Sequence, residues 1–265
     1  MLKLILSAYK RYPLLLALIW MSIGFQRSAV SQSLDAPSPQ SAASVLDLAW
    51  NAFSGRKAIH AVRLTGEAHR YQGSMEDSGF ATLWATSSGE ARMNLSFNNR
   101  GSWNEDQSDI GSKMECNWSE GDGAAHPGES QNCLKPIVWF LPSLAMQSVT
   151  IPVNVGYTDL GNTNTCSGTY RHVQAQAASL DLPHVSVSQS AASSSVDVGL
   201  DPSTFLPFVS CFHIRPDTGG PPTISVEIAY GNYKAVDGVE VPFLIRRFVN
   251  GALQLELTIQ SVTIH

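Results

Sequence analysis

Over residues 224–265 apolar and polar positions alternate so regularly that the segment reads as antiparallel strands. Ile224, Val226, Ile228 and Tyr230 lie two apart, with Ser225, Glu227 and Ala229 between them, the period of a strand with one buried face. Gly231-Asn232 and residues 233–236 follow, and Asp237-Gly238 is a two-residue hairpin signal. Val239, Val241, Phe243 and Ile245 make the next apolar row, Asn250-Gly251 the next turn, and Leu253, Leu255, Leu257 and Ile259 the last row. Val262 and Ile264 continue on the opposite parity, which predicts a bulge near Ser261. This meander has one wet face and one apolar face, and the apolar face needs a partner.

At the other end, Lys3, Lys10 and Arg11 precede an apolar run over residues 13–25, and Ala29-Val30-Ser31 supplies the small residues a signal peptidase accepts. The run falls short of the roughly 20 apolar residues of a membrane span. Residues 1–31 therefore read as a cleaved signal peptide, with an inner-membrane anchor through residues 13–25 as the alternative. The rest is expected in the periplasm or secreted. No cysteine follows the run to accept the lipid of a bacterial lipoprotein. Without residues 1–31 the chain carries 13 basic and 22 acidic residues, a formal charge of −9. That disfavours nucleic acid and anionic membrane surfaces as main partners, because both reward basic patches. Residues 32–43, rich in Ser, Pro and Ala, read as a flexible leader, and residues 44–265 as a single β domain.

Cys116, Cys133, Cys166 and Cys211 all follow the signal segment. In an oxidising compartment they imply two disulfides with three possible connectivities. Cys116 with Cys133, leaving Cys166 with Cys211, is the favoured reading. A metal alternative would use Cys211 and His213 with Cys166 and His172, but no CxxC or HExxH spacing supports it, and no metal or cofactor is expected.

Ser41 or Ser44 caps a short helix through Val45, Leu46, Leu48, Ala49 and Phe53, which Gly55 ends. Strands are predicted over residues 59–70, 79–86, 90–97 and 114–119, then 149–160, 168–175, 196–200 and 206–214. Trp103 opens a polar segment, residues 120–132 read as a Gly-rich surface loop, and residues 186–195 as a Ser-rich loop or weak edge hairpin. Residues 134–146 break the pattern. They hold one charge, Lys135, and are apolar nearly all round, with Pro142 placed to kink or end a helix at Leu141. So apolar a segment is either buried core, the cover of an apolar cavity, or a lipid contact.

The sequence has no GxSxG elbow, P-loop or dinucleotide glycine fingerprint, and its seven histidines are scattered. A hydrolase would need His172, His213 and an acid brought together in space, so the chain is read as a non-enzyme.

Several short pieces carry a family resemblance: Ala52-Phe53-Ser54-Gly55, Val62-Arg63-Leu64-Thr65-Gly66, Trp139-Phe140-Leu141-Pro142 and Phe205-Leu206-Pro207. The most specific is Tyr230-x-x-Tyr233 followed by Asp237-Gly238-Val239 and Pro242-Phe243. In these the chain resembles the bacterial lipoprotein-carrier superfamily, the fold of the periplasmic lipoprotein chaperone and its outer-membrane receptor, and most nearly its uncharacterised exported members. The resemblance implies an unclosed, strongly curved antiparallel β-barrel with short helices plugging its open side, and a cavity for acyl chains between them. It implies a strand arginine that regulates the lid, for which Arg63 and Arg92 are the candidates. Trp139, Phe140, Leu141 and Leu144 are then the expected lid, and Trp84, Met93, Leu95 and Phe97 the expected wall. Expected partners are an acyl chain, lipid or lipoprotein and envelope proteins, with only transient membrane contact. The alternative is a structural or protein-binding envelope module whose barrel interior is filled core. The four cysteines, the Gly-rich loop and the Ser-rich stretch depart from the family's pattern.

Overall fold

The computed structural model describes residues 42–110, 113–128, 138–145, 155–166, 168–177, 195–214 and 224–265. Contacts divide the chain into Met1–Ser38, which lies outside these residues, and a compact unit, Pro39–His265. The expected signal peptide, anchor and nearly all of the leader therefore fall outside the description. The leader's last two positions instead open the first helix.

That helix, α1 (Ala42–Ser54), starts before Ser44, so Ser44 lies within it. It ends as expected: Gly55 takes φ 56°, and its N–H donates to the Asn51 carbonyl at 2.8 Å. Then come β1 (Ala61–Gln72), β2 (Met75–Thr86), β3 (Ala91–Phe97), β4 (Gly101–Ile110), β5 (Lys113–Glu120) and the two-residue β6 (His126–Pro127). After a 3-10 turn at Val138–Phe140 follow β7 (Val155–Cys166), β8 (Gly168–Ala177), β9 (Ser195–Leu200), β10 (Pro207–Ile214), β11 (Ile224–Val236), β12 (Val239–Val249) and β13 (Ala252–Ile264). All join one 13-stranded sheet in the order β6-β5-β4-β3-β2-β1-β13-β12-β11-β10-β9-β8-β7. Every pairing is antiparallel. Two meanders thus run outward from the β1–β13 pair, and among the described residues β6 and β7 stand at the two ends of the order.

The sheet is an unclosed, curved barrel. Arg247 of β12 reaches Glu105 of β4 at 3.3 Å although the two strands stand five places apart in the sheet, which requires the concave face to curl on itself. The curl also brings α1 against both β12 and the β7–β8 end, where Val45, Leu46, Ala49 and Phe53 join the core. Each fully buried Leu, Val or Phe contributes roughly 1.5–3 kcal/mol, so this face anchors the helix.

The turns follow their residues. Asp237 and Gly238 take φ 51° and 79°, and Asn250 and Gly251 take 49° and 79°, so both residues of each loop are left-handed, as a twisted two-residue hairpin requires. The register slips between Thr65 and Gly66, which face Ser261 and Ile259, so Gln260 is the extra residue of the bulge expected near Ser261. β11 runs unbroken through Gly231-Asn232.

Two local expectations change. The polar segment after Trp103 is a strand, β4. His126 and Pro127, expected in a loop, pair with Trp118 and Asn117 of β5. As expected, the helical path is interrupted at Leu141, a bend between the 3-10 turn Val138–Phe140 and a helical turn over residues 142–145 that Pro142 opens; a proline fits the first turn because it has no N–H to satisfy there.

Candidate functional site

A cavity of about 440 Å³, partly open to solvent, lies on the concave face between the two meanders. One side is apolar: Leu95 and Phe97 of β3, Phe212 of β10, Val226 and Ile228 of β11, and Leu255 of β13 line it, with Phe140 between the strands. These are the inward rows of period-two strands, so the alternation that makes the sheet also makes the wall.

The other side is polar and comes from β4, β5 and two arginines. Glu105 and Gln107 pair with Met93 and Ala91 of β3, which sets them on the inward face. Glu105 accepts hydrogen bonds from the Trp103 indole at 2.8 Å and from Arg247 at 3.3 Å. The Arg247 guanidinium also lies 5.8 Å from the Phe140 ring centre, a cation–π contact. Arg70 donates to Glu120 at 3.0 Å and covers the Phe97 and Trp103 rings at 5.8 and 5.4 Å. Trp103 stacks on Trp118 at 5.1 Å, and Trp118 on His126 at 4.4 Å. The Gln107 amide nitrogen donates to the Gly89 carbonyl at 3.1 Å.

The apolar segment between β6 and β7 packs into the core. Trp139, Phe140, Leu141, Leu144 and Ala145 are each at most 5% exposed. The Tyr230 hydroxyl donates to the Trp139 carbonyl and shares a 3.1 Å hydrogen bond with Ser210. Burial drives the Tyr230 pKa far above the usual phenol value, so the hydroxyl stays protonated and keeps donating.

Of the expected lid, Phe140 reaches the cavity; Trp139, Leu141 and Leu144 are core beside it. Of the expected wall, Leu95 and Phe97 line the cavity, while Met93 is wholly buried outside its lining. Trp84 corrects the expectation. It pairs with Arg63 on one side and Arg92 on the other, on the outward face, because it alternates with buried Leu83 and Ala85. Arg63 and Arg92 are outward for the same parity, and Arg92 is exposed in an ion pair with Asp106 at 2.5 Å. The arginine that meets the apolar segment is Arg247. It continues the row of Val239, Val241, Phe243 and Ile245, and Arg70 continues the row of Val62, Leu64 and Ala68. Strand parity alone would have found both. Glu105 and Gln107 carry no such signal, since their strand is polar on both faces.

Cys116, which lines the cavity, and Cys211 are each disulfide-bonded. Cys133 and the Cys166 side chain, which the expected pairing needs, lie outside the description, as does the side chain of His172. Among the described residues no helix is long and apolar enough to cross a membrane.

No protein-family model matches the sequence, and no curated protein does. Solved structures do. A domain described as that of an outer membrane lipoprotein-sorting protein, from Vibrio parahaemolyticus, aligns with a TM-score of 0.51 at 11% identity over 84% of this chain and 93% of its own. A DUF1329 family protein from Desulfovibrio piger aligns with a TM-score of 0.51 at 8% identity over 83% of this chain and 92% of its own. At such identity the likeness is one of fold, shared with a lipoprotein-sorting protein domain and a DUF1329 family protein.

Proposed function

We propose that this protein is an exported, non-enzymatic carrier or sensor that takes an acyl chain, a lipoprotein lipid or a similar apolar ligand into the concave cavity. The observation that carries the reading is the cavity itself, about 440 Å³ with one apolar wall, within the range of small-molecule sites. Leu95, Phe97 and Phe140 form part of the wall, and the lid is the segment around Trp139, Phe140, Leu141 and Leu144. Each methylene buried there contributes roughly 0.8 kcal/mol. Cys116 and Cys211 in disulfides support an oxidising compartment. On this reading residues 1–31 are the cleaved signal peptide, 44–265 the carrier domain, Cys116–Cys133 and Cys166–Cys211 the disulfides, and envelope proteins the partners.

Native mass spectrometry of protein purified without detergent tests it. Extra mass that organic solvent removes, and that matches acyl lipid, is the expected result. A bare chain that also takes up no fluorescent acyl probe, whether its head is charged or neutral, overturns the reading in favour of the filled-core interaction module. Close packing of Val62, Leu64, Leu83 and Met93, each at most 1% exposed, is the observation on that side.

A further inference from the structure

The volume of the cavity limits how much lipid it can take. An apolar cavity of roughly 150 Å³ accepts one six-carbon benzene ring. On that scale a cavity of about 440 Å³ has room for roughly 18 carbon atoms. That is one acyl chain of ordinary length. A lipid with two such chains brings twice the carbon, and an anchor with three brings more again.

The walls leave little scope for growth. Leu95, Phe97, Val226 and Ile228 line the cavity from strands whose places the ladders fix. Beside it the concave face is already filled, since Leu64, Leu83 and Met93 are wholly buried and lie outside the lining. Phe140 is the lining side chain that comes from residues 138–145, and it too is wholly buried. Two contacts hold it. The Arg247 guanidinium lies 5.8 Å from its ring centre, and the Tyr230 hydroxyl, shared with Ser210, donates to the carbonyl of Trp139 just before it. Moving Phe140 aside for a second chain would break the Tyr230 bond and leave polar atoms unpaired in the core. Gln72, at the end of β1, lines the cavity and is exposed, and Val249, at the end of β12, lines it and is partly exposed. These two mark the mouth, where a head group stays in water.

Resting on the carrier reading, we propose that the cavity admits a single acyl chain of up to about 18 carbons and excludes lipids with two or more chains. Its ligands are then single-chain lipids, held by the tail with the head outside.

Competition of lysophosphatidylcholines against a fluorescent acyl probe tests this, with tails of about 10 to about 22 carbons, each kept below its micelle concentration. Affinity should rise about fourfold with each methylene while the tail still fits, then level off near 18 carbons. Native mass spectrometry after equilibration with mixed vesicles of palmitoyl lysophosphatidylcholine and dipalmitoyl phosphatidylcholine tests the chain count. One single-chain lipid per protein is expected, with the two-chain lipid bound at least about tenfold less often. Phe140→Ala, which takes the ring out of the wall, should move the plateau to tails longer by about two carbons or more. The wild-type series decides the limit even where that variant fails to fold, and an unmoved plateau in a variant that still binds overturns Phe140 as the end wall. Two-chain lipid bound as often as single-chain lipid, or affinity still rising at the longest tail, overturns the one-chain limit and leaves the carrier reading standing. Failure of the probe and every lipid to bind overturns both.

Discussion

Tyr230 ties the apolar segment to the sheet through a single hydroxyl. With the Trp139 carbonyl and Ser210 as its partners, Tyr230→Phe leaves polar atoms unpaired in the core and should cost about 1–3 kcal/mol at neutral pH. Tyr230 and Tyr233 also make an alkaline limit. Burial raises both pKa values above the ordinary value of 10.0, so the folded chain keeps protons that the unfolded chain releases. Their contribution is complete below about pH 10 and is lost as pH rises beyond it, by about 1.4 kcal/mol per pH unit for each tyrosine until the folded pKa is reached. Urea unfolding midpoints should hold steady from pH 7 to about 9.5 and then fall, and Tyr230→Phe should remove about half of that fall. An unchanged slope in the variant would mean that Tyr230 reaches water. At this scale the sequence reveals parity and little more. It places Leu95 and Phe97 inward and, by parity, Arg63 and Arg92 outward, which the family resemblance by itself does not register; Trp84 shares its parity with Phe80, and only the structure turns that row outward.

Four small residues meet where β1 pairs with β2, Gly66 opposite Ala81 and Ala68 opposite Gly79, and both glycines lie close to the backbone of the strand on their other side. A Cβ on Gly79 would lie 1.8 Å from the Ser96 carbonyl oxygen of β3, and on Gly66 2.1 Å from that of Thr258 in β13. Both obstacles are backbone, so neither strand can yield without losing ladder bonds. Gly79→Ala should therefore destabilise by at least roughly 3 kcal/mol, placing it among the severe substitutions. Gly231→Ala in β11, whose added Cβ meets only Leu244 side-chain atoms at 3.8 and 4.0 Å, should stay within about 0.5 kcal/mol, as a strand position with ordinary contacts does. Chemical denaturation of the two variants side by side checks the contrast, and equal effects would refute the close-approach account. Elements were legible where one face is apolar and one polar, as in β3, β11, β12 and β13. β4 escaped because its inward residues Glu105 and Gln107 are polar like its outward ones, and they are polar because they line the cavity. The strand least readable as a strand is the one that gives the site its chemistry.

The whole molecule sets a filled region beside an unfilled one on the same concave face. α1 and the turn at Val138–Phe140 fill part of it, and the cavity remains between β3–β5 and β10–β13. Val249 of β12 lines the cavity and is partly exposed, so a larger side chain there has space to enter. Val249→Phe should weaken uptake of an acyl probe about tenfold or more by taking the volume of several methylenes, while the melting temperature of the ligand-free protein does not fall. Loss of stability with unchanged uptake would show that the cavity is not the binding volume.

By itself the sequence determined the strands with two-sided alternation, the two left-handed hairpin loops, the bulge beside Ser261 and a mainly β chain, because each depends on residues within a few positions of one another; the unclosed barrel was what the family resemblance implied. Tertiary structure decided the rest. Arg247 meets Glu105 and Phe140 across 142 and 107 positions of sequence through the curl of the sheet, and Gln107 Oε1 has no hydrogen-bond partner among the described residues. Period-two alternation tells a residue which face it occupies. Which residues face each other across the concave side depends on how far the sheet closes, and that is set by every strand together.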